Sequence, residues 1–243
     1  MNAVPSPLFE PVLWKGAGFK ILDELLLPEK IAYIDVSDVD QALDAVREMN
    51  TRAFGQVLTF LYSGALLALS HPKRDPTALR QRLAEMTRQF CAARPTFDFH
   101  GLGSFFEQWF NEFPTGSDPR ESIAKQAREF GQRIVRGRVE RAKLAASILP
   151  HPARVLTHCN VSGELVAIAQ YCKAAGKEIS FLASETRPYL QGARLTAWEL
   201  AQAGVAVSVI PDCAVAQVMA RGDANTGIVG ADRSAQNGDI NNK

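Results

Sequence analysis

Four polar residues each follow an apolar segment in the second half of the chain. Cys159 follows Arg154-Val-Leu-Thr-His158, and Glu185 follows Ile179-Ser-Phe-Leu-Ala-Ser184. Asp212 follows Val205-Ala-Val-Ser-Val-Ile-Pro211, and Asp232 follows Gly227-Ile-Val-Gly-Ala231. A thiol and three carboxylates along one crevice form an inventory for acid–base chemistry. Cys159 is expected just ahead of a helix N-terminus, where a thiolate is favoured; an apolar surrounding would instead keep it protonated. The bland alternative for a cysteine at a strand end is a small buried hydrophobe. Asp232, if shielded from water at the end of its apolar run, should have a raised pKa and trade protons near neutrality. Its alternative is to cap the next turn or pair with Arg233. His158-Cys159 has no second cluster of ligands, so no metal is expected.

These residues share one edge only if the segments before them are parallel strands. The apolar runs are short, Pro150 and Pro152 break the chain before the first, and helical segments separate them, which is βαβ spacing. Ser162 is expected to cap a helix that begins its apolar run at Leu165. In open α/β sheets ligands bind at the carboxyl ends of the strands. Near that edge lies a dense polar link, Glu185-Thr-Arg-Pro188 and Gln191-Gly-Ala-Arg194. Glu185 and Arg187 are expected to pair, and Gln191 suits hydrogen bonding to a sugar. Arg52, Arg94 and Lys243 are scattered cations; any two converging would make a phosphate site, because guanidinium forks match phosphate oxygens. No Gly-x-Gly-x-x-Gly follows the first α/β strand, and there is no Walker loop, so neither a nicotinamide nor any other cofactor is expected.

The first half reads differently. Residues 1–18 are expected to be irregular. Phe19–Asp23 and Ile31–Asp35 suggest an antiparallel pair. Ser37-Asp38 should cap a helix to Met49; residues 51–70 form a buried helix, and 77–93 an amphipathic one. The aromatic-rich 99–113 stretch is expected to pack in the core. Asp118-Pro119 opens a long helix to about residue 149. Its arginines (128, 133, 136, 138, 141) interleave with Glu129 and Glu140, which predicts a solvated or interfacial face rather than a nucleic-acid stripe. The fold expected is thus α/β: a mainly helical N-terminal domain over 1–149, then a Rossmann-like parallel α/β domain over 150–243. Only four strands are visible where five or six are usual. The Asn-rich end reads as a loop, so the second domain is expected to be incomplete.

The net charge of +1 gives no reason to expect nucleic acid or membrane as a partner. No apolar run approaches the roughly 20 residues that span a bilayer. The N-terminus has no signal-peptide pattern, and the four cysteines lack disulfide-framework density, so a reducing cytoplasm is expected.

Several segments together resemble the methylthioribose-1-phosphate isomerase family, relatives of the regulatory subunits of translation initiation factor 2B. They are Ile21-Leu-Asp23 with Leu27-Pro-Glu-Lys30, Ala93-Arg-Pro-Thr96, Thr157-His-Cys-Asn160, Glu185-Thr-Arg-Pro188, Leu190-Gln-Gly-Ala-Arg-Leu-Thr-Ala-Trp-Glu-Leu200, and Gly230-Ala-Asp-Arg233 through Asn237-Gly-Asp239 to Asn242-Lys243. They run in family order across nearly the whole chain, and the 181–243 block is the most specific. The resemblance implies an enzyme turning a 5-substituted ribose 1-phosphate into the ribulose 1-phosphate. 5-Methylthioribose 1-phosphate is the first choice; 5-deoxyribose 1-phosphate or ribose 1,5-bisphosphate are alternatives. By position it implies Cys159 and Asp232 as catalytic, and Arg52, Ala53, Phe54, Arg94, Gln191, Asn242 and Lys243 as substrate-binding. It also implies a homodimer and no metal. The chain departs from the family where Arg-Gly-Ala-Pro becomes Arg52-Ala-Phe-Gly55, which puts Phe54 bulk where substrate should lie. The helix after Asn160 is also shorter than in the main branch, and the family continues past Lys243. A rival of another class is a non-catalytic protein sensing a sugar phosphate or nucleotide in the same crevice.

Overall fold

The computed structural model describes residues 4–72, 75–113, 118–231 and 233–241. The chain forms two compact units, Glu10–Arg136, and Met1–Phe9 together with Gly137–Lys243.

The first unit opens with an antiparallel sheet in the order β1 (Val12–Lys15), β2 (Gly18–Leu22), β3 (Tyr33–Val36). β1 falls within the stretch expected to be an irregular lead-in; four residues behind Pro11 are too few for alternation to stand out from a loop. Gly18 lets β2 approach β3, since a Cβ there would lie 2.4 Å from the Val36 carbonyl oxygen. Four helices follow: α1 (Val39–Arg47), α2 (Phe54–Ser70), α3 (Pro76–Ala93) and α4 (Phe99–Asn111). Each of α1, α3 and α4 starts on an aspartate, Asp38, Asp75 and Asp98, whose carboxylate accepts from backbone N–H groups of the first turn. α2 is buried almost all round, as its sequence predicts. Phe60 on it meets Phe90, Phe99 and Phe106 at ring-centroid distances of 5.2, 5.3 and 5.7 Å, so the aromatic-rich segment is core.

The long helix α5 (Pro119–Ile148) gives Ile123, Ala124 and Ala127 to the core of this unit. From Gly137 onward it belongs to the other. Of its arginines, Arg133, Arg136 and Arg141 are exposed as expected. Arg128 lies over the Trp14 ring and Arg133 over Phe130, while Arg138 is buried.

The second unit is built on a parallel sheet in the order β6-β5-β4-β7, with β4 at Ala153–Thr157, β5 at Ile179–Ser184, β6 at Ala206–Ile210 and β7 at Thr226–Gly227. α6 (Glu164–Ala174), α7 (Trp198–Gln202) and α8 (Val215–Ala220) alternate with the strands. Ala153, Val155, Thr157, Phe181 and Ala183 are buried on one face of the sheet. β7 is shorter than the 227–231 segment expected, although Ile228 N still donates to Leu156 O at 3.0 Å. The Asn-rich end is not a loop but a hairpin, β8 (Arg233–Ser234) with β9 (Ile240–Asn241). Asn237-Gly238 makes its turn, with Gly238 at φ +92°. A helical N-terminal region followed by a parallel α/β sheet is therefore the architecture. No helix among the described residues is long and apolar enough to cross a membrane.

Candidate active site

The carboxyl ends of β4, β5 and β6 are tied together by side chains. Cys159, half-buried just past β4, has φ +62°. Such a conformation is costly for a residue with a Cβ and persists only where neighbours enforce it. Here both backbone groups are held. Cys159 N donates to Thr186 Oγ1 at 2.9 Å, and Thr196 Oγ1 donates to Cys159 O at 2.6 Å. Thr186 itself has φ +62° and follows β5. Neither threonine stands out in the sequence, because a hydroxyl serving a distant backbone leaves no local pattern.

The chain then turns into α6. Asn160 Oδ1 accepts from Ser162 N at 2.7 Å. The N-cap is Gly163 rather than the expected Ser162, and it has no side-chain cap bond. Gly163 takes φ +78°, and a Cβ on it would lie 2.6 Å from Phe9 N, so glycine is required there.

Asp212, past β6, accepts from Thr186 N and Arg187 N at 2.8 Å each. The Arg187 N–H bond, first among these, holds its carboxyl below the usual aspartate range. Ser184 Oγ meets His158 Nδ1 at 2.6 Å. Glu185 pairs with Arg187 at 3.0 Å, as expected, at an exposed rim where such a pair contributes little.

Gln191 is half-buried and leads into a π-helical segment, Gly192–Ala197, that continues as α7. A Cβ on Gly192 would lie 1.8 Å from the Ser184 carbonyl oxygen and 2.9 Å from Thr186 Oγ1. Asp232, Asn242 and Lys243 lie outside the described residues. Among the described residues no group of three His, Cys, Asp or Glu side chains is arranged to hold a metal.

The remaining sequence candidates are in the other unit. Arg52, Ala53 and Phe54 form the turn into α2. Buried Glu24 accepts from Arg52 N at 3.0 Å and from Thr51 Oγ1 at 3.3 Å. Ala53 is exposed with φ +43°, and half-buried Phe54 packs against the hydrophobic core. Gly55 is held close, since a Cβ there would lie 1.9 Å from Thr51 Oγ1. Arg94 ends α3, half-buried, its N–H bonded to Phe90 O at 3.0 Å.

Behind the Cys159 turn sits a charge cluster that the sequence does not signal. Arg138 donates to Phe9 O and Ser162 O, and its Nε lies 3.3 Å from Glu164 Oε2. Burial lowers its pKa, against the pull of Glu164. Glu199 on α7 is buried; its Oε2 accepts from Ser6 Oγ at 2.6 Å and its Oε1 from Gly163 N at 3.2 Å. Burial pushes its carboxyl from the ordinary 4.5 up to about 7, with the Ser6 and Gly163 bonds and Arg138 opposing. Between pH 4.5 and 7 the folded chain keeps this proton and the unfolded chain does not, so stability falls as pH rises across that window. The shift corresponds to about 3 kcal/mol. Urea melts of the wild type and Glu199→Gln across this range should show the wild type losing about that much relative to the variant, then running level above it. Parallel curves throughout would contradict it.

Residues 57–243 match the model of the initiation factor 2 subunit family. Among curated proteins, the methylthioribose-1-phosphate isomerase of Desulforudis audaxviator is 32% identical over 96% of this chain and 70% of its own length. That of Thioalkalivibrio sulfidiphilus is 35% identical over 96% and 68%. Among solved structures, 5-methylthioribose 1-phosphate isomerase from Pyrococcus horikoshii OT3 superposes with a TM-score of 0.78 at 25% identity, covering 95% of this chain and 67% of that one. The delta subunit of translation initiation factor 2B from A. fulgidus gives 0.75 at 28% identity, covering 93% and 69%.

Proposed function

The chain belongs to the initiation factor 2 subunit family, and from that premise we propose that it is an aldose–ketose isomerase. Its substrate is a 5-substituted ribose 1-phosphate, 5-methylthioribose 1-phosphate before 5-deoxyribose 1-phosphate or ribose 1,5-bisphosphate, and its product the ribulose 1-phosphate of methionine salvage. Relatives bearing that isomerase's name match nearly the whole chain. The observation that carries the proposal in the molecule is Cys159, a half-buried thiol fixed through both its backbone groups at the carboxyl edge of a parallel sheet.

The chemistry explains why a thiol and a carboxyl are needed. Most aldose–ketose isomerases first open the sugar by deprotonating the anomeric hydroxyl, and a phosphate on that oxygen removes this route. The enzyme must instead bring a proton to the ring oxygen, take one from the C2 hydroxyl, and move the C2 hydrogen to C1. This calls for acid and base groups with tuned pKa values. We assign Asp232 to the ring-oxygen and C2-hydroxyl protons, and Cys159 to the acid role at the two carbons. Arg52, Arg94 and Lys243 are assigned to phosphate, Gln191 and Asn242 to sugar hydroxyls, and Ala53 with Phe54 to the room left for the 5-substituent. A cytoplasmic homodimer belongs to the same proposal.

The similarity to an initiation factor 2B subunit favours one rival, a sugar-phosphate or nucleotide sensor. Phosphorus NMR of the full chain with each of the three sugar phosphates separates them. A new ketose 1-phosphate resonance, formed fastest from 5-methylthioribose 1-phosphate, is expected. Binding with no new resonance from any of the three would favour the sensor.

A further inference from the structure

Asp212 has no part in the scheme above, although it stands at a strand end as Cys159 does. Backbone groups engage both of its carboxylate oxygens. Oδ1 accepts from Thr186 N and Oδ2 from Arg187 N, each at 2.8 Å. It thus clamps two successive peptide groups in the turn that follows β5. That turn needs a clamp. Thr186 has φ +62°, which a β-branched residue rarely adopts and keeps only where its surroundings enforce it. The rest of Thr186 is engaged as well. Its carbonyl accepts from Leu190 N at 2.7 Å. Its hydroxyl donates to Ser184 O at 3.2 Å and accepts from Cys159 N at 2.9 Å. In each of these bonds the donor is settled, because a backbone N–H only donates and a carbonyl only accepts.

The consequence falls on Cys159. Thr186 fixes the peptide plane before its Cα. Thr196, whose hydroxyl donates to Cys159 O at 2.6 Å, fixes the plane after it. With both planes set, the backbone torsions of Cys159 are set, here with φ at +62°. The direction of its Cα–Cβ bond is then fixed, and the sulfur keeps one soft torsion with three staggered positions. Both threonines are buried, so solvent does not compete for their hydroxyls. A chain of contacts therefore runs across three adjacent strand ends, from Asp212 beyond β6, through Thr186 beyond β5, to Cys159 beyond β4. Proton transfer to a bound sugar depends on such placement, since an error of about 1 Å can cost on the order of 10²-fold in rate.

We propose that Asp212, Thr186 and Thr196 are positioning residues that hold Cys159 in its left-handed conformation and so aim the thiol. Asp212 acts there as a clamp on backbone, not as an acid or base. This deepens the isomerase proposal and rests on it for the role of the thiol. The coupling from Asp212 to the Cys159 backbone, by contrast, is a property of the unliganded protein.

Amide hydrogen exchange of the labelled full chain reads that coupling without substrate. The Cys159 N–H should be protected in the wild type. Asp212→Ala removes both acceptors without touching Cys159, and should speed exchange at Cys159 about tenfold, the effect of one lost hydrogen bond. Phe181, buried in the middle of β5, should keep its rate, which separates a loosened turn from a loosened fold. An unchanged rate at Cys159, or an equal rise at both amides, would overturn the proposal. Kinetics form the second arm. Thr196→Val removes the hydroxyl and keeps the shape, so kcat should fall about tenfold while KM stays within about twofold. Thr196→Ser restores the hydroxyl and should recover kcat to within about threefold. Full kcat in Thr196→Val, a loss that appears in KM instead, or no recovery in Thr196→Ser would also overturn it. A wild type without turnover would count against the isomerase proposal and leave the exchange result standing.

Discussion

Replacing Cys159 with alanine or serine is expected to lower isomerase turnover by about 10²-fold or more, the usual contribution of a positioned acid–base group. Neither variant should unfold the protein. The side chain is half-buried rather than core, and what holds the turn is the Cys159 backbone, through Thr186 and Thr196, which both substitutions leave in place. The serine variant is the sharper test. It keeps size and hydrogen-bonding capacity but replaces a thiol, ordinarily titrating near pH 8.5, with a hydroxyl that stays protonated. If the residue only packed, serine would retain most of the activity. Turnover by phosphorus NMR, with a thermal melt on the same sample, decides it. Near-normal turnover in Cys159→Ser would remove Cys159 from the mechanism.

Gly192→Ala is expected to be the most disruptive single-methyl change in the second unit. Its Cβ would sit 1.8 Å from the Ser184 carbonyl oxygen and 3.0 Å from the Ser184 carbonyl carbon. Those are backbone atoms of β5, so no side chain can swing aside. Relief must come from displacing the π-helical segment or the strand end, at about 3 kcal/mol, the upper part of the range for overpacking. The displacement would also reach the site. Ser184 supports His158, and the same segment carries Thr196, which holds Cys159 O. Urea denaturation should show the loss, with turnover falling in parallel. Gly137→Ala supplies the contrast. Gly137 lies inside α5, where a methyl group would meet nothing within 4 Å, and alanine there should stabilise by about 0.5–1 kcal/mol. Equal stability of Gly192→Ala and the wild type would mean the close approach is not real.

What the sequence discloses is governed by distance along the chain. The three longer parallel strands, the Asp38 cap and the Asp118-Pro119 helix start are written in local pattern and are legible. So is the placement of Cys159, Glu185 and Asp212 at strand ends, since that follows from where each apolar run stops. The features that shape the site are long-range and are not legible. Gly163 rather than Ser162 opens α6 because Phe9, far away in sequence, leaves no room for a Cβ. Arg138 is buried among exposed arginines because its guanidinium reaches the backbone carbonyls of Phe9, Val161 and Ser162 as well as Glu164, which no charge pattern announces. The π-helical turns after Gln191 depart from the 3.6-residue period by which helices are recognised. β1 and the final hairpin escape for the opposite reason: segments of two to four residues carry too little periodicity to register.

The central claim, that this chain moves hydrogen between C2 and C1 of a ribose 1-phosphate, is tested most directly by carbon NMR. The full chain is incubated with 5-methylthioribose 1-phosphate labelled at C1 and C2. We predict that the C2 signal becomes a ketone carbonyl while C1 becomes a methylene still coupled to phosphorus. Labelled carbons that remain an intact acetal and carbinol after prolonged incubation with folded protein, or phosphate released from C1 instead, would contradict it.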